Sequence, residues 1–142
     1  MKETIYVNTG AIAYGGENII LNSGAIGSCI VVTVFDQENH NGAMAHIMLP
    51  GKSQEKPYNS LNKYASDAIK TLHNHFVGKS SKFENLVCCM VGGANVLCKK
   101  DDILCDRIIK SVIEEISINN FIISAKSVGG KLRRSMQLNS YN

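Results

Sequence analysis

The chain has no long apolar run. Its longest, Cys29 to Phe35, is broken by Thr33 and falls far short of the roughly 20 residues that span a bilayer. No membrane insertion is therefore expected. The N-terminus, Met1 to Asn8, is short, polar and mixed, without the apolar segment of a signal peptide, so the expected location is the cytoplasm. Charge of one sign is also scarce. Fifteen Lys and Arg against twelve Asp and Glu leave a net charge of +3, which biases the surface weakly toward acidic partners. That is far from the basic stripe of a nucleic-acid binder, and no nucleic-acid partner is expected. Repeats, low-complexity tracts and an interdomain linker are all missing, so 142 residues read as one domain, 1–142. The five cysteines contain no Cys-x-x-Cys pair. An odd count in a reducing compartment argues against a disulfide framework, and a zinc site would need ligands scattered along the chain. Neither metal nor cofactor is expected.

What is present is an ordinary globular composition, 44% hydrophobic and 19% charged, long enough for a self-supporting core. Alternation and β-branched content predict strands near Thr4–Asn8, Asn18–Asn22, Cys29–Phe35, Ala43–Leu49, Leu86–Val91, Phe121–Lys126 and Leu132–Leu138. Two segments have helical spacing instead. Leu61, Tyr64, Ala65, Ala68, Ile69, Leu72 and Phe76 form one apolar stripe. Leu104, Ile108, Ile109, Val112, Ile113 and Ile116 form another, with Asp101 or Asp102 available as N-cap. Strands clustered in hairpins favour an α+β fold over a doubly wound sheet.

The segment richest in chemistry is Ser23-Gly-Ala-Ile-Gly-Ser-Cys29, followed by an apolar strand, a polar turn and Gly42-Ala-Met-Ala-His46. Asp36 to Gly42 is rich in turn formers, so the two strands should form a hairpin. In an antiparallel hairpin the numbers of opposed residues sum to a constant. An odd sum puts Cys29 and His46 on one face. A sum of 75 sets them directly opposite, roughly 5 Å apart, and a sum of 77 sets them diagonally, at roughly 7–8 Å. An even sum separates them.

Such a pair suits nucleophilic catalysis. A free thiol has a pKa of about 8.5, so an adjacent imidazole must take its proton and later return one to a leaving amine. Gly24 and Gly27 let the chain bend before Cys29. Backbone N–H groups of the loop, at Gly27 and Ser28, would then face an oxyanion. Ser23, at the head of the loop, is a candidate to orient the imidazole. The plainer alternative is that a cysteine opening an apolar strand is a buried small hydrophobe, and that a strand histidine is a surface or satisfied core residue.

At these same residues the sequence resembles the CheD family of chemoreceptor glutamine deamidases. The family's Leu-Gly-Ser-Cys-Val-like element, Asp, and Gly-Gly-Met-x-His-x-x-Leu-Pro element read here as Ile26-Gly27-Ser28-Cys29-Ile30, Asp36 and Gly42 to Pro50. Lys63 to Ala68 and Val91-Gly92-Gly93-Ala94-Asn95 are similar to further family elements. The resemblance runs along nearly the whole chain. It implies a layered α+β sandwich of mainly antiparallel strands with two main helices, related to bacterial deamidating toxins with a Cys–His site. It implies a hydrolase in which Cys29 is the nucleophile, His46 the base, and Ser23 stands where the family has a third catalytic threonine. The implied substrates are glutamines on methyl-accepting chemotaxis receptors, converted to glutamate so that receptor adaptation is tuned. The implied partner is the phosphatase CheC.

The sequence departs from the family at several places. Cys105-Asp106-Arg107-Ile108 replaces a Gly-x-Arg-Asn element. Val91 replaces a phenylalanine and Ala43 a glycine. Arg133 stands where a late Gly-Gly-x-x-Gly-Arg element has its third glycine. These departures motivate an alternative, a non-catalytic regulator that docks onto CheC or a receptor. Cys88 and Cys89 read as core residues, His73 and His75 as a solvated helix face, His40 as a turn residue, and Lys131, Arg133 and Arg134 as charges on an edge strand.

Overall fold

Apolar residues alternate to both sides of the central strands, and a different layer covers each side. The computed structural model describes residues 2–54, 61–100 and 103–139. Its elements are β1 (Glu3–Tyr6), β2 (Ile12–Gly15), β3 (Ile19–Asn22), β4 (Ile30–Asp36), β5 (Asn41–Ile47), α1 (Ala65–Gly78), β6 (Leu86–Gly92), α2 (Leu104–Ile118), β7 (Ile123–Val128) and β8 (Gln137–Asn139). One sheet has the order β2-β5-β4-β6-β7 and the other β1-β3-β8. Among the described strands, β1 pairs with β3 and β6 with β7 in parallel; the other strand pairings are antiparallel. The fold is α+β, with helices on one side of the large sheet and the small sheet on the other.

Parity along β4 explains the layering. Ile30, Val32 and Val34 join Ala43, Ala45 and Ile47 of β5 in the core beneath the helices. Val31 and Met44 point the other way, into a second core with Val7, Leu21 and Ile26. The expected stripe of α1 is its buried face, with Ala65, Ala68, Ile69, Leu72 and Phe76 buried, and in α2 Ile108, Val112 and Ile116 are buried as expected, while Cys105 joins them and Leu104, expected in the stripe, is exposed. Burying each large aliphatic or aromatic side chain contributes roughly 1.5–3 kcal/mol. The first turn of α1 has no side-chain cap. Instead, Ala65 N–H donates to the Leu49 carbonyl at 2.9 Å and Ser66 N–H to the Gly51 carbonyl at 2.8 Å. The segment following β5 thus satisfies donors that a helix start leaves unpaired. Asp101 and Asp102, expected to cap α2, lie outside the described residues; the N-cap position is Ile103.

Three expectations change. Strand β2 is additional, because Ala-Tyr-Gly carries little strand signal; it forms where β5 offers a ladder, with Ile12 opposite Ala45. The strand expected over Leu132–Leu138 is reduced to Gln137–Asn139, preceded by an isolated bridge between Arg134 and Ile26. His73 and His75 are not a solvated face. His73 Nδ1 lies 2.8 Å from the Asn119 carbonyl, and its ring packs on Phe83. His75 stacks on Tyr14 with centroids 4.2 Å apart. No helix among the described residues is long and apolar enough to cross a membrane.

Candidate active site

The β4–β5 register decides which residues share a face. Ile30 pairs with Ile47 and Val31 with His46, so the sum is odd and the larger of the two alternatives holds. Cys29 immediately precedes β4 and continues its line, because its carbonyl accepts the Gly93 N–H at 2.9 Å next to the Ile30–Gly92 pair. Side chains two residues apart on a strand point the same way. Cys29 and His46 therefore stand on the small-sheet side of the large sheet, in a diagonal relation that spans roughly 7–8 Å between backbones.

A single segment touches both residues. His46 is buried, 5% exposed, and its Nδ1 lies 2.8 Å from the Val7 carbonyl oxygen. A carbonyl only accepts, so Nδ1 carries the proton and Nε2 is left with a lone pair. Gly10 N–H donates to the His46 carbonyl at 2.8 Å, and His46 N–H donates to the Ala11 carbonyl at 3.0 Å. Between Val7 and Gly10, the Thr9 side chain adjoins the Cys29 thiol. Burial pushes the thiol pKa up, and the Thr9 hydroxyl opposes this by favouring the thiolate. Sequence reasoning missed Val7 and Thr9. Val7 acts through its main chain, which no residue type reveals, and Thr9 is an unremarked hydroxyl in a turn.

The loop before Cys29 is fixed from behind. Ile26 and Arg134 exchange backbone hydrogen bonds at 2.7 and 3.0 Å, and Ala94 N–H donates to the Gly27 carbonyl at 2.9 Å. Among the described residues, the N–H groups of Gly27, Ser28 and Cys29 donate to no protein acceptor. Three consecutive unengaged N–H groups beside a thiol form a donor set suited to an oxyanion. Gly92 takes φ +118° where it passes behind Cys29, and a Cβ there would collide with the Cys29 carbonyl.

Ser23 is drawn into the loop's scaffold. Its hydroxyl donates to the Gly24 carbonyl at 2.7 Å and accepts the Met136 N–H at 2.9 Å. The imidazole is held by Val7, while Ser23 ties the start of the loop before Cys29 to the chain that leads into β8. Cys88 is buried, and its thiol is pushed up to about 12, by burial first and then by Cys89. Cys105 is buried as well, and Cys98 is exposed. No three His, Cys, Asp or Glu side chains among the described residues gather as a metal site.

Comparison with known proteins adds the family. Residues 48–142 match the family model described as CheD chemotactic sensory transduction, which is about two thirds of the chain. The chain belongs to the CheD family. That match begins after Cys29 and His46, but relatives extend further. The protein named "Probable chemoreceptor glutamine deamidase CheD" from Chlorobium luteolum is 32% identical over 91% of this chain and 64% of its own length. A stretch that long includes positions 29 and 46 wherever it begins. The Thermotoga maritima protein named "Chemoreceptor glutamine deamidase CheD" is 32% identical over 90% of this chain and 83% of its own length. A Clostridium botulinum CheD relative is 31% identical over 81% and 74%, respectively. The chain thus spans less than two thirds of the Chlorobium relative.

Proposed function

We propose that this CheD-family chain is a cytoplasmic chemoreceptor glutamine deamidase with Cys29 as nucleophile and His46 as base. The observation that carries this reading is the β4–β5 register, which sets Cys29 and His46 on one face, with the imidazole held by the Val7 carbonyl. His46 Nε2 takes the thiol proton as the Cys29 sulfur attacks the carboxamide carbon of a receptor glutamine. The carbonyl oxygen becomes an oxyanion facing the N–H groups of Gly27, Ser28 and Cys29. As the intermediate collapses, the imidazolium returns the proton to nitrogen and ammonia leaves, so that a thioester remains on Cys29. Water, deprotonated by His46, then attacks the thioester carbon; the thiol is expelled and glutamate is left on the receptor. Burial keeps the free thiol protonated, so proton transfer is coupled to substrate arrival and to the exclusion of water.

The test is mass spectrometry of a receptor cytoplasmic fragment incubated with the wild type or with Cys29→Ala. The amide-to-acid mass increment is expected with the wild type alone. A folded wild type that leaves every glutamine of a cognate receptor intact refutes the assignment.

A second reading is a non-catalytic regulator that docks onto a CheC-type phosphatase, itself a proposed partner under either reading. The observation favouring it is the raised thiol pKa, which lowers the nucleophile's resting reactivity. It requires that Cys29→Ala retain the full biological effect.

A further inference from the structure

The loop before Cys29 is held by its carbonyls. The Ile26 carbonyl accepts Arg134 N–H at 3.0 Å, the Gly27 carbonyl accepts Ala94 N–H at 2.9 Å, and the Cys29 carbonyl accepts Gly93 N–H at 2.9 Å. Among the described residues, the N–H groups of Gly27, Ser28 and Cys29 meet no protein acceptor. A loop that keeps these donors for a substrate must be fixed through its acceptors. Its geometry is then set by whatever joins the two segments behind it, Gly92 to Ala94 on one side and Arg134 on the other.

One side chain joins them. Arg134 Nη1 donates to the Gly92 carbonyl at 3.3 Å, and Nε donates to Ser127 Oγ at 3.0 Å. Ser127 pairs with Val91, on the strand that runs into Gly92, and Gly129 N–H donates to the same Gly92 carbonyl at 2.9 Å. The main chain of Arg134 meanwhile exchanges two hydrogen bonds with Ile26, at 2.7 and 3.0 Å. These contacts close a ring, from Ile26 to Arg134, from the guanidinium to Gly92, from Gly93 to Cys29, and along the loop back to Ile26. Expected as a charge on an edge strand, Arg134 is instead a cross-link. A planar guanidinium with donors at fixed angles suits two separated acceptors, whereas a lysine ammonium is a point charge on a flexible stem.

We infer that Arg134 is a positioning residue for the oxyanion donors: by joining Gly92 to Ile26 it holds the N–H groups of Gly27, Ser28 and Cys29 toward the carbonyl oxygen under attack. The inference deepens the deamidase reading and rests on it for the reaction. The role is geometric, because the Cys29 thiol is shifted by burial and by Thr9 and not by this cation. Preorganised donors act where charge develops in the transition state. Loosening them slows reactions that form an oxyanion and spares those that form none, whereas general damage to the site slows both.

The experiment compares two reactions of the same thiol. With iodoacetamide the Cys29 sulfur displaces iodide at a methylene carbon, and no oxyanion forms. With p-nitrophenyl acetate the sulfur attacks the carbonyl carbon, an oxyanion forms, p-nitrophenolate leaves and an acetyl thioester remains on Cys29. Arg134→Ala is expected to acylate roughly 10- to 100-fold more slowly and to alkylate within about twofold of wild type. With a receptor cytoplasmic fragment, kcat should fall by a similar factor and KM should change by less than about twofold. Arg134→Lys should recover little of the loss, while guanidinium ion added to Arg134→Ala should restore part of it and ammonium should not. Ser127→Ala, which removes the Nε acceptor at an exposed position, should show the same selective loss to a smaller degree. It carries the test if Arg134→Ala does not fold. Acylation and alkylation that both keep wild-type rates, or that fall by equal factors, overturn the positioning role. A wild type that acylates with this dependence on Arg134 but makes no glutamate on a cognate receptor overturns the deamidase reading alone.

Discussion

His46 is oriented by the main chain of Val7, 2.8 Å from Nδ1 to the carbonyl oxygen, and not by a side chain. In the neutral imidazole the arrangement fixes the tautomer in which Nε2 is unprotonated, the one that the proposed role as base requires. The orienting group is therefore indifferent to the residue type at position 7, provided the backbone stays in place.

This separates two substitutions. His46→Ala should lower kcat for ammonia release by roughly 10²- to 10⁴-fold, the usual contribution of a positioned acid–base group. Val7→Ala removes a side chain that is 1% exposed and should cost about 1–3 kcal/mol of stability. It should nevertheless leave kcat within about threefold of wild type, because the carbonyl remains. A folded Val7→Ala protein without turnover would remove the carbonyl from its assigned role.

Thr9 gives a prediction read through pH. Its hydroxyl lowers the Cys29 pKa against the dominant upward effect of burial. Thr9→Val leaves burial unopposed, so the pH profile of Cys29 alkylation should move to higher pH. At neutral pH, kcat/KM should fall roughly three- to tenfold, the worth of one ordinary hydrogen bond. Thr9→Ser, which keeps the hydroxyl, should restore the profile. An unmoved profile in Thr9→Val would show that the hydroxyl does not act on the thiol.

These two residues also mark the limit of what is legible in the sequence. Hairpin parity requires an odd sum for Cys29 and His46 to share a face, and Val31 opposite His46 meets that requirement. The stripes of α1 and α2 are readable because a 3.6-residue period survives in side-chain type. Val7 is not readable, because its role is carried by a carbonyl that every residue possesses. Strand β2 is hidden in Ala-Tyr-Gly, since it forms from the edge that β5 presents rather than from local propensity. The place of Ser23 at the head of the loop can be read from residue order alone. Its hydrogen bond from Met136 N–H cannot, because that donor comes from a segment far along the chain.

Asp36 should matter for stability and not for chemistry. It is fully buried and lies at the hairpin end of β4, remote from Cys29. Burial alone would raise its pKa. The Ser81 hydroxyl at 2.6 Å, the Asn39 side chain at 2.9 Å and the N–H groups of Asn39 and Glu38 overcome this and hold it below the ordinary value. A depressed folded-state pKa stabilises the fold above the unfolded-state value of about 3.9, and this contribution is lost as pH falls through the folded-state pKa. Asp36→Asn should therefore cost on the order of 2–3 kcal/mol at neutral pH. The gap to wild type in denaturant midpoint should narrow below about pH 4. A gap that stays constant between neutral and acid pH would show that the charge is not what the hairpin uses.

Gly92→Ala tests whether the backbone behind Cys29 is fixed. Gly92 has φ +118°, and a Cβ there meets the Cys29 carbonyl, the same oxygen that accepts Gly93 N–H. Backbone strain alone costs about 1–2 kcal/mol, and the collision is with main chain, which cannot rotate away. Gly24 is the matched control, with φ +66° and nothing within 4 Å of the place a Cβ would take. Gly24→Ala should therefore show only the conformational cost of about 1–2 kcal/mol. Gly92→Ala should lose more stability than this and should also change the rate at which iodoacetamide reaches Cys29. Equal losses in the two variants, with unaltered alkylation, would mean that Gly92 serves the turn alone and does not set the position of Cys29.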